Sequence, residues 1–141
     1  MGLDIELLRE RFATAHVARL ATLTPDGRPH IVPVCFALRG RDVVSAIDAK
    51  PKSTTGLQRL VNVRANPVAS LLVDHYEDDW TRLWWVRADG NAQVIEEGPE
   101  RSAAIAQLRA RYPQYEEQPP PGPVLVVRVT RWTGWSAIDR S

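Results

Sequence analysis

The residues best able to do chemistry lie between Ala46 and Asp74, where Lys50, Lys52, Ser53 and Thr54 cluster after the end of a strand. Arg59 and Arg64 follow on the helix, and Asp48 is the one acid of residues 48–64, leaving that segment at net +3. Hydroxyls, helix-terminal N–H groups and lysines together suit a phosphate or carboxylate. The plainer alternative for the same residues is a capped, solvated surface helix. Elsewhere the chemistry is sparse. His16, His30 and His75 are not spaced as a metal cluster, and the acidic run 74–79 reads as solvated loop. Cys35, alone in the chain, stands between Val34 and Phe36 and reads as a small buried hydrophobe. No Gly-x-Ser-x-Gly, His-Glu-x-x-His or phosphate-loop motif is present. Chemistry by protein groups alone is therefore weakly supported, and a bound aromatic cofactor fits better.

The elements that must hold these residues can be read in order. Asp4 caps a helix over 4–14, with Leu3 stapled on Leu8 and an apolar face of Ile5, Leu8 and Phe12. Residues 16–23 and 28–38 form a hairpin through Thr24-Pro-Asp-Gly27, with Pro29 and Pro33 marking an edge, bulge or bend. Residues 42–47 make a third strand. After Pro51 comes a helix of about four turns, capped by Ser53 or Thr54 and burying Leu57, Leu60 and Val61. Strands follow at 68–74 and 80–95, the latter with a turn or bulge at Asp89-Gly90. A last helix, acidic at its start around Pro99 and basic at Arg109 and Arg111, buries Ile105, Leu108 and Tyr112. A proline-rich loop spans 113–123, and a final strand runs from Val124 into Thr130–Ala137.

This pattern predicts one domain over residues 1–141, mainly β with flanking helices: a six-stranded antiparallel barrel whose ends the helices plug. The net charge of +1 argues against nucleic acid or an anionic membrane as a general partner. No apolar run is long enough for a spanning helix, and none at the N-terminus resembles a signal, so a cytoplasmic location is expected.

The order and spacing of several segments resemble one family. They are Ala18–Phe36, Lys50-Pro-Lys52 with Leu60–Pro67, Val68–Asp74, Leu83–Arg87 and Arg131-Trp-Thr-Gly-Trp135. Together they are similar to the pyridoxamine 5′-phosphate oxidase-like split β-barrel proteins that bind FMN or the deazaflavin coenzyme F420. The likeness is greatest to the actinobacterial branch that uses coenzyme F420. It implies a homodimer with the cofactor in a groove between subunits. His30, Ile31, Val32, Pro33 and Val34 would run beside the ring, and Lys50, Lys52, Ser53, Thr54 and Arg59 would meet the phosphate. Trp80, Trp85, Trp132 and Trp135 would approach from the partner or close the pocket. The implied activity is hydride transfer between coenzyme F420 and an unsaturated small-molecule substrate. The alternatives are an FMN-binding reductase or oxidase, or a non-catalytic cofactor- or haem-binding protein. The vitamin-making oxidases carry a longer C-terminal segment with an arginine/histidine substrate-phosphate motif, whereas Arg140 is the only basic residue in the last few of this sequence, which argues against pyridoxine-phosphate oxidation. Excess charge near 50–64 favours the longer, more anionic tail of coenzyme F420, with tighter binding than FMN at low salt expected.

Overall fold

A computed structural model describes residues 4–47 and 54–137, the first three of the latter segment by backbone only. The described residues form four α-helices, one 3-10 turn and seven strands. The helices are α1 (Ile5–Thr14), α2 (Thr54–Ala65), α3 (Pro99–Arg111) and α4 (Pro113–Glu117). The strands are β1 (Ala18–Leu23), β2 (Pro29–Val34), β3 (Ala37–Arg39), β4 (Asp42–Ala46), β5 (Val68–His75), β6 (Trp84–Ile95) and β7 (Val124–Ser136). They form one sheet in the order β2-β1-β5-β6-β7-β4-β3, with every neighbouring pair antiparallel.

The expected six-stranded closed barrel is therefore corrected to an open seven-stranded sheet with flanking helices. The extra strand arises where the sequence reads as one run, 28–38. Extended pairing with β1 stops at Val34, Cys35 and Phe36 turn the chain, and Ala37 begins a strand that pairs with β4 instead. β2 and β3 thus occupy opposite ends of the strand order while being joined by two residues. Three Cα–Cα steps span at most about 11 Å, so the sheet curls until its two edges approach at this corner. No ladder joins them.

The corner is held by side chains from the end of α3. The Tyr112 hydroxyl accepts the Phe36 N–H at 2.9 Å and lies 2.8 Å from the carbonyls of both Phe36 and His16. Arg111 donates to the Phe36 carbonyl at 3.0 Å, to the Ala13 carbonyl at 2.7 Å and to the Ala15 carbonyl. These bonds tie the β2–β3 link to the α1–β1 link. Beneath them Phe12, fully buried, meets Phe36 and Trp132 at centroid distances of 4.8 and 5.2 Å. Burial of each such ring contributes about 1.5–3 kcal/mol.

α1 starts as its sequence requires, with the Asp4 carboxylate accepting the Glu6 N–H at 3.4 Å. Leu8 and Phe12 are buried, whereas Ile5 stays exposed. The staple residue Leu3 lies outside the described residues. α2 is rotated from the expected face. Leu60 and Val63 are buried, while Leu57 and Val61 are exposed. The cause is Asn62, wholly buried and bonded to β1, which turns the helix by its own hydrogen bond. The strand expected from residue 80 begins at Trp84, because Asp79 caps a 3-10 turn over Trp80–Arg82. The loop expected at 113–123 opens with α4, whose Tyr115 is buried, and Arg101 fixes the remainder by donating to Pro120 and Gly122 carbonyls at 2.9 Å.

β6 and β7 are long enough to serve both halves of the sheet, and their register shifts between Asp89 and Gly90. A Cβ at Gly90 would sit 2.1 Å from the Arg128 carbonyl oxygen. Only glycine allows the two backbones so close at this bulge.

Candidate functional site

Strand alternation sorts the sheet residues into two sets. Ala18, Leu20, Leu71, Val73, Val86 and Ala88 face the core shared with α1 and α2. Their neighbours Ala21, Leu23, Ser70, Leu72, Trp85 and Arg87 lie on the outer face. With them go Ile31, 64% exposed, and Trp135, 40% exposed, so this face presents a broad apolar and aromatic surface. A groove of about 440 Å3 crosses it, lined in part by Ala21, Leu23, Pro29, Ser70, Asp89 and Thr130.

A polar chain organises the groove. Ser70 donates to Asp89 at 2.6 Å, and Arg87 donates to both Asp89 oxygens at 3.1 and 3.2 Å. The Arg87 guanidinium also lies 5.8 Å from the Trp85 ring centroid. These groups orient one another, leaving the Trp85 face beside a fixed positive charge.

A second polar chain runs beneath α2. Gln58 donates to Asn62 at 2.8 Å, and Asn62 donates to the Thr22 hydroxyl at 3.0 Å. Thr22 is the register partner of His30. His30 is half-buried, and its Nδ1 is buried without a hydrogen-bond partner among the described residues. An orphaned ring nitrogen at this depth costs about 1–3 kcal/mol unless a ligand meets it. Gln58 and Asn62 are four apart on a helix, a spacing visible in the sequence but not read there as a buried network.

The expected site residues fall in different places. Ile31 and Pro33 are exposed along edge strand β2, Val32 packs partly on the core, and the Val34 side chain is buried. Arg59 is half-buried on α2 and donates to the Ala46 carbonyl at 3.4 Å. Lys50, Lys52 and Ser53 lie outside the described residues, and Thr54 is described by its backbone alone as the first residue of α2. Trp85 and Trp135 are register partners on the outer face. Trp132 pairs with Ala88 and turns to the core against Phe12, away from that face. Trp80 is 76% exposed on its 3-10 turn. The structure thus brings Trp85 and Trp135 together, and connects His30 with α2 through Thr22, while separating Trp132 from both.

Neighbouring charges are engaged. Arg64 meets Glu96 at 3.3 Å, and His75 and Arg82 both meet Glu77. Among the described residues no group of three metal-ligating side chains occurs. No helix is long and apolar enough to cross a membrane.

Comparison with known proteins adds a lineage to this geometry. A family model described as pyridoxamine 5′-phosphate oxidase matches residues 5–136. No curated protein sequence matches the chain. Among solved structures, it is similar to a conserved hypothetical protein from Mycobacterium tuberculosis, with 21% identity and a TM-score of 0.78 over 96% of this chain and 86% of that one. An FAD binding protein from Mycobacterium smegmatis gives 19% and 0.63, over 96% and 97%. A heme binding protein from the same organism gives 24% and 0.69, over 92% and 56%. At these identities the structures share the fold. Their names span a flavin nucleotide and heme, so the likeness reaches the family and not its coenzyme F420 branch.

Proposed function

Because this chain belongs to the pyridoxamine 5′-phosphate oxidase family, we propose that it is a flavin-binding oxidoreductase acting on a small molecule, with FMN as its cofactor. The observation that carries this reading is the orphaned His30 Nδ1, set beside α2 through the Thr22–Asn62 bond. A flat heteroaromatic ring lined with hydrogen-bonding groups would satisfy that nitrogen. Arg59, farther toward the start of α2, together with the lysines and hydroxyls of 50–54, would meet a phosphate. The flavin would supply the hydride chemistry. The protein residues would hold the ring, fix its phosphate and keep water from the reacting face.

The charge distribution favours FMN over coenzyme F420. Arg64 is paired with Glu96 and lies ten residues beyond Thr54, about 15 Å along the helix. It is thus remote from a phosphate at the α2 N-terminus. Coenzyme F420 is the second reading, favoured by one observation: residues 48–64 carry a net +3, more positive charge than one phosphate needs.

The reading includes a homodimer. The outer face with Ile31, Leu23, Trp85 and Trp135 is apolar enough to be covered by a second copy, and a stable interface would bury more than about 1,000 Å2. Such pairing would place Trp85 and Trp135 of one copy near the β2 edge of the other.

Calorimetric titration of the purified protein with FMN, coenzyme F420 and haemin, side by side at low and high salt, tests the function. We expect FMN to bind, and Arg59→Gln to weaken it by about 10- to 150-fold, the equivalent of a charged hydrogen bond of roughly 1.5–3 kcal/mol. Tighter binding of coenzyme F420 at every salt concentration selects the second reading. Binding of haemin alone refutes both.

A further inference from the structure

Away from the β2 edge and α2, a cavity of about 540 Å3 lies between the start of α1, the β3–β4 turn and the β7 bulge. Three elements each contribute one arginine to it: Arg9, Arg41 and Arg131. Glu6 is its one acidic lining residue, and Val129 and Trp132 give it an apolar floor.

Among the described residues Arg9 is the one of the three whose guanidinium is held by a hydrogen bond, and its acceptor is a backbone carbonyl rather than a counter-ion. Arg41 and Arg131 border the cavity with exposed side chains. Arg9 lies one helical turn after Ile5 and donates from Nη2 to the Gly40 carbonyl at 2.6 Å. Gly40 has a φ of +61°, which lets the β3–β4 turn present that carbonyl. The Arg41 carbonyl accepts the Val129 N–H at 3.0 Å, fixing this turn against β7. Arg131 is placed by its register pairing with Asp89 at the bulge. The Arg9 Nε is buried and has no acceptor among the described residues. No ion pair among the described residues includes Arg9, Arg41 or Arg131.

The positive charges of Arg9, Arg41 and Arg131 outnumber the single negative charge of Glu6 around this cavity, with solvent screening the exposed Arg41 and Arg131, and the buried Arg9 Nε–H without an acceptor is costly. An oxyanion relieves both at once, since guanidinium forks match carboxylate and phosphate oxygens. We propose that this cavity is a second ligand site, separate from the cofactor site, that binds an oxyanion carried on a small apolar body. The arginines would hold the phosphate or carboxylate, and Val129 and Trp132 would carry the apolar part.

Titration of 15N-labelled protein with phenyl phosphate and with inorganic phosphate, followed at the amides of Gly40, Arg41 and Arg131, tests this directly. We expect saturable shifts with both probes, at lower concentration for phenyl phosphate. The double variant Arg41→Gln/Arg131→Gln should weaken both by at least tenfold. It leaves the Arg9–Gly40 bond in place, so loss of fold is separately excluded by an unchanged amide spectrum elsewhere. Arg59→Gln on α2 should leave these shifts within about twofold, so failure of the cofactor site and failure of this one are told apart. Absence of saturable shifts at these amides, or equal affinity in the double variant and the parent, overturns the proposal.

Discussion

Replacing Tyr112 by Phe removes one oxygen from the corner where the two edges of the sheet approach. The size of the effect follows from which partners are stranded. The Phe36 N–H loses its acceptor at 2.9 Å, beside a ring that is fully buried. The Phe36 carbonyl keeps Arg111 at 3.0 Å, so it is not orphaned, and the His16 carbonyl, which loses the hydroxyl at 2.8 Å, belongs to an exposed residue that water can reach. One buried donor left without a partner costs about 1–3 kcal/mol. The unfolding entropy of a chain this long is roughly 0.3 kcal/mol/K, from about 2.1 cal/mol/K per residue, so Tm should fall by about 3–10 °C. Thermal and urea unfolding of Tyr112→Phe and the parent measure it, with an unchanged m-value expected. A Tm within about 1 °C of the parent would refute the claim that this hydroxyl holds the corner. Alkaline pH gives an independent check. Burial pushes the Tyr112 phenol above its ordinary 10.0, against smaller opposing contributions from Phe36 and Arg111. The folded chain therefore keeps this proton at a pH where the unfolded chain has released it. The resulting stability is complete below about pH 10 and declines as pH rises toward the folded-state value. The parent should show this decline, and the variant should lack the part due to Tyr112.

Two further outcomes are expected. Gly90→Ala places a methyl 2.1 Å from the Arg128 carbonyl oxygen, so β6 or β7 must shift; we expect a loss of about 3 kcal/mol or more in urea unfolding, and a loss below about 0.5 kcal/mol would show that the bulge yields freely. Ile31→Asp puts a charge on the outer face at a position 64% exposed in the single chain; sedimentation should show a dimer in the parent and a monomer in the variant, and a dimer of equal strength in both would remove this strand from the interface.

Local signals carried much of the fold. The Asp4 cap, the dipole-matched α3 with Ile105, Leu108 and Tyr112 inward, and the bulge at Asp89-Gly90 all follow from neighbouring residues and appear where expected. What the sequence hid depends on distant partners. The break at Cys35 and Phe36 has no glycine or proline of its own, because Tyr112 and Arg111 hold it from some 75 residues away. The face of α2 was misjudged since Asn62, polar by type, is buried through a partner 40 residues distant. At the site, alternation could pair Trp85 with Trp135 once the β6–β7 register was known. Alternation also sets Trp132, three residues before Trp135, on the opposite face of the same strand, so grouping those two around one ligand was avoidable. It could not show that Arg9, Arg41 and Arg131 border one cavity, because those residues share no element.

The two prolines of β2 bear on how this chain stays dispersed. The Thr24 N–H bonds to the Arg28 carbonyl, which sets the phase of the β1–β2 ladder. Residues 30, 32 and 34 then bond to β1, and the amides of 29, 31 and 33 point toward the free edge. Pro29 and Pro33 have no N–H to offer there, so Ile31 supplies the single donor of the edge. A stray strand from an unfolding or newly made chain would find one hydrogen-bond donor where an ordinary edge of that length offers three. The apolar outer face can therefore remain available for a specific contact while the adjacent edge resists the strand-by-strand growth that leads to aggregates.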